Sequence, residues 1–194
     1  MSYIVLENVD YTYPDRTEPA VRSLNLVLKK GEKIALTGLN GSGKSTLAKI
    51  MLGLLKPQRG RVLLDGCPLD RYTLPEIGAR LGFVSQDPGQ MIFNLKVSNE
   101  IAFGLKWQGK SREETDELTD HYLRRFDLWH LKDENPFNLS EGQKQLVVIC
   151  AILALAPDFL ILDEPTKNID TSRKRDLQKA LRYIWNQGTG IIVV

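Results

Sequence analysis

The stretch GLNGSGKST, Gly38 to Thr46, decides how the rest of the chain is read. It satisfies G-x-x-x-x-G-K-[ST] at Gly38, Gly43, Lys44 and Ser45. Glycines at these places let backbone N–H groups curl around phosphate oxygens with no Cβ in the way. The residues that follow, Lys44 to Leu55, are good helix formers and stop before Pro57. Such a helix aims its positive end at the same phosphates. Lys44 can reach the terminal phosphates, and the Ser45 hydroxyl is a hard oxygen of the kind Mg²⁺ prefers. Before the loop, Lys30-Gly31-Glu32 turns the chain into Lys33 to Thr37, which reads as a buried strand.

A phosphate loop needs an acid at the end of an apolar strand. FLILDE, Phe159 to Glu164, supplies two. Asp163 is placed to hold a Mg²⁺ shell, and Glu164 to polarise an attacking water. Working outward, Tyr3–Val9 and Val21–Leu28 read as strands, as do Arg61–Leu64, Leu81–Val84 and Gly190–Val194. Ser111 to Leu131 is an amphipathic helical stretch, and Ser111 with Glu114 fits a capping box. Ser140 to Ala156 reads as a helix capped by Ser140 and stopped by Pro157. Its Ser140 hydroxyl and first-turn N–H groups make an anion site. The order implies an α/β core with a helical insertion at about Pro88 to Pro157.

Composition narrows the classes. The chain has 194 residues, 42% of them hydrophobic and 26% charged, as in a globular protein with a real core. Its 26 basic and 24 acidic residues nearly cancel, which gives no reason to expect a nucleic-acid groove or polybasic membrane binding. The longest apolar run, Leu146 to Ala156, has 11 residues. A membrane helix needs roughly 20. No signal peptide opens the chain. Two cysteines, Cys67 and Cys150, form neither a disulfide framework nor a zinc spacing, and both read as small buried hydrophobes.

The phosphate loop and FLILDE, taken with LSEGQ at Leu139 to Gln143, resemble the ATP-binding cassette (ABC) ATPases over Tyr3 to Val194. LSEGQ ends 20 residues before Asp163, as the family's signature stands before its metal-shell acid. The resemblance implies an α/β fold: a P-loop NTPase core, an N-terminal antiparallel β subdomain and a helical insertion subdomain. The expected division is a core of about 1–87 and 157–194, with a helical subdomain of about 88–156. ATP and Mg²⁺ are the implied cofactors, and hydrolysis to ADP and phosphate the implied reaction. Gly38, Leu39, Asn40, Gly41, Ser42, Gly43, Lys44, Ser45 and Thr46 would hold the nucleotide. Tyr13 would stack on adenine, with Tyr11 competing for the role. Gln86 in FVSQDP would contact Mg²⁺ and the attacking water, beside Ser45, Asp163 and the catalytic Glu164. Ser140, Glu141, Gly142 and Gln143 would face the γ-phosphate bound by a second cassette. Asp170 in TKNID would lie at that interface. The implied partners are a second ABC ATPase domain, as homodimer or heterodimer, and integral membrane transporter subunits, without nucleic acid. The implied place is peripheral, on the cytoplasmic face of the cell membrane. Within the family, VSQDP…VSNEIAFG and GRVLLDG look most like the energy-coupling-factor and cobalt-type importer ATPases, with Gln90 approximating their glutamine.

Lys44 and Ser140 stand 96 residues apart, too close for the coiled coils of the DNA-repair cassettes. Three departures are visible. Glu141 replaces a glycine of the usual signature, and a carboxylate there repels a γ-phosphate unless it points away. Leu146 stands where the family often has arginine, and Lys167-Asn168 replaces a small pair. The chain reaches Val194 without the family's switch histidine, since His121 and His130 sit in the helical stretch and read as surface or packing residues. A chain cut short at its C-terminus is therefore expected. These departures motivate an alternative: a regulatory or degenerate half of an asymmetric cassette pair.

Overall fold

The structure, a computed structural model, describes residues 2–166 and 171–194. Strand β1 (Ser2–Tyr11) buries Tyr3, Ile4, Leu6, Val9 and Tyr11, its alternation broken by register shifts between Ser2 and Ile4 and between Leu6 and Val9. It pairs antiparallel with β2 (Val21–Lys29) on one side and β4 (Arg59–Leu64) on the other. The two-residue β5 (Cys67–Pro68) completes the order β2-β1-β4-β5. Gly60 permits the β1–β4 approach: its φ is +78°, and a Cβ there would lie 2.3 Å from the Glu7 carbonyl oxygen. Cys67 sits in β5, the strand at the edge of this sheet, and is exposed, contrary to the buried expectation. Cys150 is buried, and burial pushes its thiol well up.

A second sheet holds β3 (Lys33–Ala35), β6 (Leu81–Val84), β7 (Phe159–Leu162) and β8 (Gly190–Val193) in the order β3-β8-β7-β6. The β3–β8 and β7–β8 pairs are parallel. All four residues of β7 are fully buried, as a continuous apolar run in a parallel sheet should be. Strand β3 is shorter and more exposed than expected: it lies at the sheet edge, and Lys33 and Ala35 are exposed. Helix α1 (Lys44–Met51) ends four residues before the expected Leu55. Gly53, at φ +69°, turns the chain there. Helix α2 (Leu74–Arg80) opens on a reciprocal capping box between Thr73 and Glu76. Ile4, Ile50, Met51, Leu64, Phe159, Ile161 and Ile192 share one apolar core.

The chain divides into two compact units. The first is residues 1–83, 158–163 and 189–194, and the second is 84–157 and 164–188. The second contains α3 (Val97–Trp107), α4 (Arg112–Arg125), α5 (Glu141–Leu153) and α6 (Thr171–Asn186). Its core includes Val97, Ile101, Leu105, Leu123, Val147, Cys150 and Ala180. Ala180 of α6 lies in that core, and Tyr183 stands edge-on to Phe126 at 5.7 Å, so α6 groups with the helices rather than with residues 157–194 as a block. The expected helix over 111–131 keeps its capping box but ends at Arg125. Asp127, at φ +57°, reverses the chain into a short turn at Trp129–Leu131. Among the described residues, no helix is long and apolar enough to cross a membrane.

Candidate functional site

In the first unit, β3 delivers the chain to Gly38 and α1 takes it up after Gly43. Gly43 caps α1 at φ +88°, and a Cβ there would stand 2.1 Å from the Ala20 carbonyl oxygen, so only glycine fits. No side chain caps this helix, which leaves its first N–H groups facing the loop. The Lys44 ammonium lies over the loop, donating to the carbonyls of Gly38 and Leu39 at 3.0 Å each. Leu39, Asn40, Gly41 and Ser42 are exposed along the loop. Thr46 is buried, and its Oγ1 is 3.2 Å from the Tyr13 hydroxyl. Tyr13 is half-buried and stands edge-on to the buried Tyr11, ring centres 5.0 Å apart. Of the two competing tyrosines, Tyr13 is the more exposed.

Ser45 Oγ donates to Asp163 Oδ1 at 3.0 Å. Asp163 is only 8% exposed, and a buried carboxylate is costly without such a partner. Two hard oxygens converge here at the head of an uncapped helix. That donor set fits Mg²⁺, which takes one or two protein oxygens and completes its shell with phosphate and water.

The second unit holds the other expected residues. Glu164 is half-buried and adopts φ +46°, a turn conformation uncommon for a residue with a side chain. The next residue is braced: the Gln145 side-chain amide, 4% exposed, donates to the Pro165 carbonyl at 2.9 Å. Sequence reasoning passed over Gln145; a polar residue on the apolar side of the Ser140–Ala156 helix was the available signal. Gln86 is exposed, in a loop held by Ser85 Oγ donating to the Asp87 carbonyl at 2.8 Å. Gln90 Nε2 donates to Asp87 Oδ2 at 2.9 Å. Glu100 was missed as well. It is buried at the start of α3 and accepts from Phe93 N, Asn94 N and Asn94 Nδ2 at 3.2, 2.9 and 3.0 Å.

The signature opens α5. Ser140 Oγ accepts from Gln143 N at 3.4 Å, while Gln143 Oε1 accepts from Ser140 N at 3.0 Å, a closed capping box. Gly142 is buried. Glu141 Oε1 accepts from the Lys144 ammonium at 2.9 Å. Asp170, with Lys167 and Asn168, lies outside the described residues.

Residues 21–167 match the family model described as ABC transporter. The chain belongs to the ABC transporter family. Among ABC relatives, the energy-coupling factor transporter ATP-binding protein EcfA1 of Mycoplasmopsis synoviae is 38% identical over 93% of this chain and 68% of its own length. EcfA2 of Methanospirillum hungatei is 38% identical over 98% of this chain and 48% of its own length. The chain spans 31% of a putative ABC transporter ATP-binding protein from Methanosarcina acetivorans, at 36% identity. Among solved structures, cbiO1 of Clostridium perfringens, described as part of the ABC transporter complex cbiONQ, superposes with a TM-score of 0.88 at 35% identity. The match covers all of this chain and 78% of cbiO1. The ATP-binding cassette MJ0796, solved as a dimer with ADP and Pi, gives a TM-score of 0.85 at 29% identity over 98% of this chain and 87% of its own. The ABC ATPase fold, with its P-loop core, antiparallel sheet and helical part, is thereby this chain's fold, and the energy-coupling-factor likeness read in the sequence stands.

Proposed function

We propose that this chain is an ABC ATPase subunit that hydrolyses ATP to ADP and phosphate, with Mg²⁺, to drive transport through separate membrane-spanning subunits. The observation that carries the reading is the 3.0 Å contact between Ser45 Oγ and Asp163 Oδ1. Residues 118 apart in sequence meet where the terminal phosphates of a nucleotide on the loop would lie. Ser45 and Asp163 would hold Mg²⁺, with Gln86 contributing, and the ion would draw charge off the phosphates. The loop N–H groups from Gly38 to Thr46 and the Lys44 ammonium bind and orient the phosphates. Tyr13 stacks on adenine. Glu164 orients the attacking water and takes its proton.

The pairing and the location belong to the same proposal. MJ0796 is described as dimeric, and cbiO1 as part of a transporter complex, which supports a second cassette and membrane subunits as partners here. In that pair Ser140, Glu141, Gly142 and Gln143 face the partner's γ-phosphate, and Asp170 lies at the interface. The chain then sits peripherally at the cytoplasmic face of the membrane. A degenerate half-site is not favoured, because the loop, Asp163 and Glu164 are all retained and the relatives are named as transporter ATP-binding proteins. The test is steady-state turnover of the full native chain in its complex. Glu164→Gln keeps ATP binding and lowers turnover on the order of 10²- to 10⁴-fold. A near wild-type rate would remove Glu164 from its role.

A further inference from the structure

Glu141 carries a full negative charge into the first turn of α5, where an incoming phosphate would have to settle. Beside it, Lys144 is three residues on and therefore on the same helix face. The two side chains differ sharply in environment: Lys144 is 16% exposed and Glu141 52%. A lysine whose stem is packed down keeps its ammonium in one place, so less side-chain freedom is lost in holding the pair than for an ordinary surface lysine.

The geometry also says where the carboxylate goes. Its Oε1 is 2.9 Å from Lys144 Nζ, and its Oε2 would be 4.0 Å from a Cβ built on Gly89. The same Cβ would be 3.7 Å from the Lys144 stem. Glu141 thus lies sideways, beside the short turn Pro88–Met91, where the Asp87 carboxylate also stands, its Oδ1 3.3 Å from the same Cβ.

We propose that Lys144 is the counter-charge that lets a signature bearing Glu141 accept a partner's γ-phosphate. It acts through Glu141 and is a positioning residue. The inference rests on the reading that Ser140 and its helix face ATP held by a second cassette. With the pair formed, the Glu141 carboxylate is held on Lys144, and the Ser140 hydroxyl and helix N–H groups are left to meet the anion. Two identical chains could then pair through both sites, and no glycine-bearing partner is required.

The experiment uses the full native chain carrying Glu164→Gln, with ATP-driven pairing followed by sedimentation velocity across an ATP titration. Lys144→Gln and Lys144→Met each raise the ATP concentration at half-pairing by about tenfold or more, because an unpaired carboxylate now faces the phosphate. Lys144→Arg pairs like the parent. Adding Glu141→Gly to Lys144→Gln restores pairing, and raising KCl narrows the gap between Lys144→Gln and the parent. ATP affinity of the unpaired chain, measured below the pairing concentration, is unchanged in the Lys144 variants, which separates this effect from misfolding. Parental pairing by Lys144→Gln, or failure of Glu141→Gly to restore it, overturns the proposal alone. A parent that does not pair with ATP overturns it together with the reading beneath it.

Discussion

Gly43 shows how little freedom some single positions have. A methyl group there would meet the Ala20 carbonyl oxygen at 2.1 Å in a backbone conformation that L residues avoid. Gly43→Ala is expected to cost about 2 kcal/mol or more in stability, read by urea denaturation, since the left-handed strain alone is about 1–2 kcal/mol. Lys44→Ala leaves the fold intact and weakens ATP binding roughly 10- to 100-fold by calorimetry, the loss expected for a charge-assisted contact. Unchanged affinity would refute the phosphate-loop assignment. The cysteines give a third check. Cys67 reacts with a thiol reagent in the native protein, while Cys150, buried and with its thiol pushed up, reacts only after unfolding. At this scale the motif residues were legible because their chemistry fixes their type and spacing. Gln145 and Glu100 were not, because a buried amide or carboxylate is recognised by what surrounds it, and those neighbours come from distant sequence.

Among the elements, starts were easier to read than ends. The capping box at Ser111 and the cap at Ser140 are local, four-residue devices, and both form, the second also closing into a box with Gln143. The end of α4 depends on Asp127 taking a left-handed turn, and the exposure of β3 depends on its place at the sheet edge. Neither is written in the segment itself. Helix α3 illustrates the same point: its first turn is organised by Glu100, whose carboxylate gathers three donors from Phe93 and Asn94. Glu100→Ala leaves those N–H groups without their acceptor and is expected to cost about 1–3 kcal/mol. Faster amide exchange at Phe93 and Asn94 would accompany that loss; unaltered exchange would show that the loop is held by something else.

A polar cluster ties distant segments of the first unit together. Asp158, at the foot of β7, accepts from the Tyr3 hydroxyl of β1 and pairs with Lys30 at 2.5 Å. Burial alone would raise the Asp158 carboxyl, but Lys30 and Tyr3 outweigh it and hold the group below its usual range. Burial, and then the Asp158 carboxylate, push the Tyr3 hydroxyl up. A carboxyl depressed in the folded state stabilises above its unfolded pKa of about 3.9 and loses that contribution as pH falls through the folded value. Asp158→Asn should therefore lower the urea midpoint at pH 7 and converge with the parent in strong acid. A constant gap down to pH 2 would show that shape, not charge, is what Asp158 supplies.

The Gln145–Pro165 bond has a bearing on protein engineering. The residue after Glu164 is anchored by an amide 20 positions earlier in the chain, on the helix that the signature begins. A graft that moved only the nine-residue loop and the two acids onto a new scaffold would carry every ligand and leave the turn bearing Glu164 without its anchor. Such a transplant is expected to bind nucleotide and turn it over poorly until a buried donor is built in at the equivalent of Gln145.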